Sequence, residues 1–321
     1  MRSATRLLVP LLTAAALVAA SAGAVGAARQ SAPGASRAGV ESLAIFRGRD
    51  VKPAKPQRPA RNTNLSSHGG AVQTSPQVYI SWWGPEWAST FSTGGYSSTQ
   101  AQTYTTDFFK GVGGTSWNNV VTQYCQNVPS GTQNCTTVTS AVYIQNVTGQ
   151  LKGTWNDTTT VPSSPTQTDI ANAAKRLAAH FGNQPNTTYM VFTPHGKSMS
   201  GFATQWCAWH SSTSATGGTI AYAYIPYMPD AGTSCGMNFV NSTDTAYGNG
   251  YFDGFSVVAG HEYSEAETDP FPSSGWVDRQ GAENADKCAW SNSSGNISFG
   301  GHFYAVQPTW SNAIGGCAMS R

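Results

Sequence analysis

The stretch VVAGHEYSEAETDP, Val257–Pro270, places four acidic side chains within nine residues of one histidine, in a chain that is only 11% charged. Carboxylates this close repel one another, so a compensating interaction is required. The segment predicts a helix from about Gly250 to Thr268, because Pro270 cannot continue it and disfavours helical geometry at Asp269. The explanations left open are a metal cation, a catalytic proton and a solvated helix end.

Helical spacing places His261 and Glu265 one above the other on the same face. An imidazole nitrogen and a carboxylate oxygen so placed can share one divalent ion. Glu262 points about 100° away, which puts its carboxylate beside such an ion, where a base that deprotonates water belongs. The pattern H-E-x-x-E is thus a variant of the H-E-x-x-H zinc signature, with a glutamate replacing the second histidine.

The coarse secondary structure predicts an α+β fold. Two helices are clearest, the one above and TDIANAAKRLAAHFG, Thr168–Gly182. Strands are predicted at Gln77–Trp83, Thr139–Val147, Thr187–Pro194 and Thr219–Ile225, and another near GFATQWC. A mixed sheet with one helix behind it and the acidic helix beside it is also the core arrangement of zincin metallopeptidases.

The segment DRQGAENADKC is the expected source of a third ligand. Gluzincins take a glutamate ligand from a following helix, and a later aspartate there supports the first histidine. Glu283 is expected as the ligand and Asp286 as the supporting residue, and the exchange of these roles stays open. Further candidate ligands are Asp269 and Asp278. Zinc is the expected ion because His261 supplies nitrogen, and Ca²⁺ is the alternative because the other ligands are carboxylates.

A solvated helix end is the structural alternative to a metal site. Acids near a helix C-terminus oppose the helix dipole, so this alternative explains the cluster poorly. Seven of the 14 acidic residues after Arg61 fall between Glu262 and Asp286, which also favours a specific site.

The N-terminus predicts export. Residues 1–28 have the basic start, apolar run and small residues of a signal peptide, with an uncleaved anchor as the alternative. Residues 29–67 predict a disordered basic linker or propeptide, and residues 68–321 a single domain. No second long apolar run follows, so stable membrane insertion after signal cleavage is not expected.

Charge and cysteine content limit which classes of binding partner and which cellular compartment are expected. After Arg61, 8 basic residues face 14 acidic ones, a net charge of −6, so nucleic-acid binding is not expected. The basic linker could bind an anionic cell-wall polymer, and a plain solvated linker is the alternative. The six cysteines favour three disulfides paired in sequence order, although 15 pairings exist. They are Cys125, Cys135, Cys207, Cys235, Cys288 and Cys317.

Several segments resemble the phosphate-induced protein 1 (EXORDIUM-like) family, in the order of that family. They extend from about Gln77 to Cys317 and are QVYISWWG, TDFFKGVGGTSWNNV, YMVFTP, GFATQWCAWHSS, VVAGHEYSEAETDP, GWVD, GAENADKC, YAVQPTWSN and GGC. The resemblance implies secretion and a zincin-like fold, but it does not settle activity, because the plant members are discussed mainly as growth-related wall proteins. Asp269 stands where those members typically have Asn, so it is not expected to be an indispensable ligand.

Three residues outside the helix are further candidates. His210 is expected either to face the cleft, as a substrate-binding residue or ligand, or to be packed and hydrogen-bonded. His302 and Tyr304 follow the third-ligand segment, where a metallopeptidase needs a donor for the oxyanion.

The sequence therefore predicts a secreted metallopeptidase acting on peptides or proteins. Glu262 would act as base, and His261, Glu265 and Glu283 would hold zinc. One alternative is a non-catalytic wall- or matrix-binding protein with a structural metal. Another is a cell-wall glycosidase that uses paired carboxylates, for which the ten tryptophans could provide a sugar-stacking platform.

Overall fold

The computed structural model of the chain describes residues 44–49, 63–242 and 249–321. The predicted signal peptide, residues 1–28, and most of the predicted linker lie outside these residues. The described residues belong to one unit that spans Glu41–Arg321. Within them, no helix has both the length and the apolar character needed to cross a membrane.

The described part of the chain contains four α-helices and many short strands. The helices are α1 (Pro85–Ser89), α2 (Ser98–Gly111), α3 (Gln167–Phe181) and α4 (Asp253–Thr268). The strands are β1 (Ala44–Phe46), β2 (Ser66–Ser67), β3 (Gln77–Trp83), β4 (Ser92–Thr93), β5 (Tyr96–Ser97), β6 (Cys125–Gln126), β7 (Val142–Tyr143), β8 (Leu151–Asp157), β9 (Thr187–Phe192), β10 (Ala208–Ala215), β11 (Gly218–Ile225), β12 (Trp276–Val277), β13 (Gly295–Phe299), β14 (His302–Val306), β15 (Thr309–Ser311) and β16 (Gly316–Ala318).

A mixed six-stranded sheet forms the centre, in the order β1-β10-β11-β9-β3-β8. The four strands from β11 to β8 run parallel to one another, whereas β10 is antiparallel to β11, and β1 is antiparallel to β10. The remaining strands form two-stranded pairs around this sheet. The architecture is therefore mixed α/β, with a multi-stranded sheet and few helices.

The two faces of the sheet bury separate apolar clusters. Side chains alternate along a strand, so Tyr189 and Val191 of β9 pack with α3, while Met190 and Phe192 pack on the side of α4. His210 of β10 faces the same side as α4, because its ring contacts Glu262. The sheet thus has α3 on one side and α4, with α2, on the other.

Local sequence signals explain where α2 and α3 begin. Ser97 and Thr166 are N-caps in complete capping boxes, with Gln100 and Asp169 as the third residues of their helices. Gly182, at a φ of 89°, ends α3 in a conformation that glycine adopts readily. The predicted helix Thr168–Gly182 therefore matches α3 to within a residue at each end.

The three disulfides pair in sequence order, as expected. They join Cys125 to Cys135, Cys207 to Cys235 and Cys288 to Cys317, and no cysteine is free. The second of these bridges ties the residue before β10 to the end of the 3-10 helix Met228–Cys235.

Two strand predictions fail. The run Thr139–Val147 contributes only the two-residue strand β7, which pairs with β6; Ile144 is buried, but Val142 and Val147 are 41% and 43% exposed. The strand expected near GFATQWC is instead a tight turn, in which the N–H of Gln205 donates to the carbonyl of Gly201 at 2.8 Å. Strand β10 begins immediately after it.

The predicted linker is wrong at its described residues. Strand β1, Ala44–Phe46, belongs to the central sheet, and Phe46 is fully buried. Strand β2, Ser66–Ser67, is also ordered and pairs with β12 in a separate two-stranded sheet. Burial of the Phe46 side chain orders the first segment, although the sequence around it is basic and has no hydrophobic periodicity.

Candidate metal centre

Helix α4 carries the predicted motif through the interior of the protein. All 16 of its residues are buried. Gly260 allows this close packing, since a Cβ there would lie 3.2 Å from Phe108 and 3.4 Å from Trp117. The helix ends where predicted, at Thr268, and Asp269 leaves helical geometry at φ −145° and ψ 67°. The acids of the motif are consequently removed from water.

A first group of ligand-type side chains forms around His261. Its Nε2 atom lies 3.0 Å from Glu265 Oε1 and 3.7 Å from Asp286 Oδ1. Candidate ligand atoms of these three residues all lie within 4.8 Å of one another. The backbone N–H of Asp286 also donates to Glu265 Oε1 at 2.9 Å, which fixes the loop against the helix.

Gln307 orients the His261 ring. Its Oε1 accepts from His261 Nδ1 at 3.2 Å, and its Nε2 donates to the carbonyl of Ala285 at 2.9 Å, which sets the direction of the amide. The Nε2 atom faces Glu265 Oε1 at 3.0 Å, so the ring lies between the amide of Gln307 and a carboxylate.

A second group surrounds His210. Its Nδ1 lies 3.2 Å from Glu262 Oε2 and 3.5 Å from Glu265 Oε2, while its Nε2 lies 3.3 Å from the carbonyl of Asp269 and 3.5 Å from Glu283 Oε1. Both nitrogens face oxygen acceptors, so both hold protons in this arrangement. His210 therefore acts as a buried cation beside the glutamates, and Glu265 is shared between the two groups.

The electrostatics of the cluster follow from burial and mutual proximity. Burial alone would lower the pKa of His261, but the carboxylate of Glu265, helped by Glu262 and Asp286, raises it to about 9. Burial likewise opposes the charge on His210, yet Glu283, Glu262 and Glu265 raise its pKa well above the ordinary value. Both imidazoles stabilise negative charge in their surroundings.

The carboxylates separate into two kinds. Burial raises the pKa of Glu262, Glu283 and Asp286, and neighbouring acids add to this effect for all three. Glu265 differs, because His261 and His210 outweigh its burial and lower its pKa. Glu265 is thus the permanently ionised centre of the cluster.

Among the described residues, the carboxylates of the cluster form ion pairs with histidines and with no lysine or arginine. Lys287 is the nearest in sequence, but its Nζ pairs with Asp278 at 2.9 Å and lies 4.3 Å from the ring centroid of Trp310. The four carboxylates of the cluster outnumber its two histidines by two. Buried carboxyl groups in excess of their basic partners either hold protons or coordinate a cation, because an unpaired buried charge is costly.

The structure gives the predicted ligands different positions. His261, Glu265 and Asp286 come together, whereas Glu283 lies against His210 and its Oε1 has no hydrogen-bond partner. The geometry therefore places Asp286, and not Glu283, beside the motif histidine, while Glu283 contacts His210. Asp269 is occupied elsewhere, since its carboxylate accepts from the backbone N–H groups of Ser273 at 2.6 Å and Gly275 at 2.7 Å.

The other predicted site residues have different surroundings. Tyr304 is buried in the aromatic core, stacked on Phe299 at 4.5 Å and tilted against Tyr104, and its expected role as an oxyanion donor stays a prediction. His302 pairs with Phe299 at the end of the β13–β14 hairpin, where β14 begins. His210 is fully buried, so it does not line an open cleft as a substrate-binding residue.

Two residues of the site were not foreseen. Gln307 lies in the segment YAVQPTW, which contains no ligand pattern, and Phe46 lies in the predicted linker. Phe46 stacks on the His261 ring with centroids 3.7 Å apart and an interplanar angle of 18°. An aromatic residue isolated in a basic segment was the only available signal.

Comparison with known proteins does not add to this geometry. No family model matches the chain, and neither a curated protein nor a solved structure does.

The donor set fits a divalent transition metal. His261 Nε2, Glu262 Oε1 and Glu283 Oε1 are buried without hydrogen-bond partners. Imidazole nitrogen with carboxylate oxygen suits zinc, whereas calcium prefers oxygen ligands throughout.

Proposed function

We propose that this chain is a secreted, zinc-dependent peptidase with a zincin-like fold, related to the phosphate-induced protein 1 family. The observation that carries the proposal is the buried group of His261, Glu265 and Asp286, which shares Glu265 with a second histidine. The order of helix, strands and acidic helix supports the fold assignment. The three disulfides and the predicted signal peptide support export.

His261, Glu265 and Asp286 would hold the ion. The Asp286 side chain is 31% exposed, so this group reaches the surface, whereas His210 and Glu262 are fully buried. His210, Glu262 and Glu265 also bring candidate ligand atoms within 4.8 Å of one another, but all three of these residues are buried. A zinc ion bound at the first group supplies Lewis-acid polarisation of a carbonyl and lowers the pKa of water.

Glu262 is the proposed general base. His210 holds its Oε2 at 3.2 Å, which leaves Oε1 without a partner and ready to accept a proton. Burial raises the pKa of Glu262 above its ordinary value, whereas the hydrogen bond with His210 opposes this rise. His210 thus positions the base, a role that the sequence alone did not reveal.

Metal content and a single glutamate variant test this proposal. Elemental analysis of the purified full chain should give about one zinc per molecule in the wild type and in Glu262→Gln. Because β1 lies beside the site, proteolysis is measured on the full chain and on chain cleaved between residues 49 and 63. Glu262→Gln should lower the rate about 10²–10⁴-fold. A chain without stoichiometric metal contradicts the proposal.

Glu267→Gln is the matched control. Glu267 is fully buried on the same helix, but it accepts from Asn118 Nδ2 at 3.2 Å instead of facing a histidine. Its variant should retain both metal and proteolysis. An equal loss of proteolysis in the two variants would point to a general effect of removing a buried charge from α4.

A non-catalytic binding protein with a structural metal is the second candidate. It is favoured by the complete burial of His261 and Glu262. Stoichiometric metal without proteolysis in any form of the chain would establish this alternative.

A further inference from the structure

Strand β1 completes the edge of the sheet next to the cluster. It lies antiparallel to β10, with Ala44 opposite His210 and Phe46 opposite Ala208. Without β1, β10 would be the outermost strand, and an outermost strand presents unpaired N–H and C=O groups to any extended chain. The segment therefore occupies the edge at the point where it passes the candidate site.

One side chain anchors the segment. The ring of Phe46 is fully buried, stacked on His261 at 3.7 Å and on Trp290 at 4.9 Å, with interplanar angles of 18° and 16°. Its neighbour Ile45 is 37% exposed, and Arg47 is exposed as well. Because side chains alternate along the strand, only Phe46 of these three residues enters the pocket beside His261, the candidate metal ligand.

Backbone groups provide the other contacts. The carbonyl of Phe46 accepts from the N–H of Cys207 at 2.8 Å, and the carbonyl of Arg47 accepts from Trp290 Nε1 at 2.8 Å. The N–H of Arg49 donates to the carbonyl of Ser234 at 2.9 Å. Main-chain hydrogen bonds with one side-chain pocket are the pattern by which sheet edges bind peptides.

The segment also closes a space that reaches the cluster. A cavity of 270 Å³ is lined by Phe46, Gly48 and Trp290 on one side and by Asp286 on another. Asp286 is the partly exposed member of the proposed ligand group. Residues 45–49 therefore form one wall of the space beside that group.

We propose that Ala44–Arg49 is a built-in ligand that blocks the site, and that its release frees the groove for an extended peptide with an aromatic residue in the place of Phe46. The blocking consequence rests on the proposed peptidase function, whereas the binding of such a peptide does not. Attachment to the same chain gives the segment an effective concentration in the millimolar range, so it excludes a free peptide present at micromolar concentration.

A labelled peptide tests the groove directly. The probe is fluorescein-labelled AIFRGR, the sequence of Ala44–Arg49, and binding is followed by fluorescence anisotropy with a chelator present. The full-length Phe46→Ala protein should bind it at least tenfold more tightly than the wild type, because the variant segment has lost its anchor. Ile45→Ala is the matched control and should behave as the wild type. Equal binding to the wild type and to the Phe46→Ala protein overturns the proposal.

A second form of the protein keeps the test decisive where Phe46→Ala fails to fold. Here a recognition site for a specific protease replaces part of residues 50–62, and the full chain is folded before it is cut. The cut protein should bind AIFRGR at least tenfold more tightly than AIARGR, while AAFRGR binds within about threefold of AIFRGR. Equal binding of AIFRGR and AIARGR, or binding of neither, contradicts the proposal.

The two proposals fail separately. Peptide binding in chelator reports on the groove alone, so it stands when metal content and proteolysis are negative. A stoichiometric metal with proteolysis that depends on Glu262, combined with no selective peptide binding, removes only the inference about Ala44–Arg49.

Discussion

Replacing Glu265 with glutamine should separate metal binding from the rest of the fold. Glu265 is the one carboxylate shared by both histidines, with Oε1 at 3.0 Å from His261 Nε2 and Oε2 at 3.5 Å from His210 Nδ1. Glutamine preserves the volume and one oxygen, but it removes the charge that the ion would neutralise. Altering residues that only support ligands costs about 10–100-fold in metal affinity, so a lost ligand should cost at least 100-fold.

The expected magnitude follows from linkage. Free zinc at 100 times its dissociation constant stabilises the folded wild type by about 2.7 kcal/mol. A 100-fold weaker site at the same zinc concentration retains only about 0.4 kcal/mol. Since 1 kcal/mol shifts the Tm of a domain of this size by about 2–4 °C, zinc should raise the wild-type Tm by about 5–10 °C and that of Glu265→Gln by about 1–2 °C.

Thermal unfolding in zinc and in chelator measures both shifts. Glu267→Gln is again the control, because Glu267 lies two residues further along α4, about 200° around the helix, and bonds Asn118. It should keep the full wild-type shift. The reasoning is refuted when Glu265→Gln and Glu267→Gln respond to zinc equally, since the cluster would then have no special part in binding it.

Three other changes test separate parts of the structure. Asp278→Asn leaves Lys287 buried without its partner at 2.9 Å and should cost about 3–5 kcal/mol in urea unfolding at pH 7. Burial alone would raise the pKa of Asp278, but the hydrogen bond from Lys287 holds this pKa below its ordinary value. The stabilisation by the pair is therefore lost as pH falls below about 4. An unfolding free-energy difference between wild type and Asp278→Asn that is undiminished at pH 3 would contradict this reasoning. Ser97→Ala removes the N-cap of α2 and should cost about 1 kcal/mol by the same measurement, while Ser97→Asp should cost less. Gln307→Ala should weaken zinc binding about 10–100-fold in competition with a chromophoric chelator, Gln307→Glu should restore it, and equal affinity in all three proteins would exclude a supporting role for this residue.

The parts of the fold that were predicted correctly depend on local chemistry. Helix α3 has a capping box at Thr166 and a glycine at its end, and α4 ends before Pro270, so their bounds follow from residues within one turn. The predicted strand Thr139–Val147 has the composition of a strand, but only Val142–Tyr143 finds a partner strand. Composition alone does not distinguish these cases, because a strand is stabilised by neighbours that are distant in sequence.

The candidate site likewise has one part that follows from local sequence and another that depends on distant contacts. Helical periodicity alone places His261 beside Glu265, and the structure agrees at 3.0 Å. His210 enters the cluster through the register of β10 in the sheet, and the choice between Glu283 and Asp286 depends on how their loop turns back onto α4. Such placements depend on contacts between distant segments, which spacing in the sequence does not determine.

Helix α4 is buried on every side, and this limits how the protein can change over evolution. An ordinary amphipathic helix has an exposed face on which substitutions are nearly free, but α4 has none. Gly254 leaves no room to enlarge, since a Cβ there would lie 2.4 Å from the carbonyl oxygen of Cys235. A library randomised over Asp253–Thr268 should therefore tolerate few replacements anywhere. Related chains should diversify in the surrounding loops while this helix stays nearly constant.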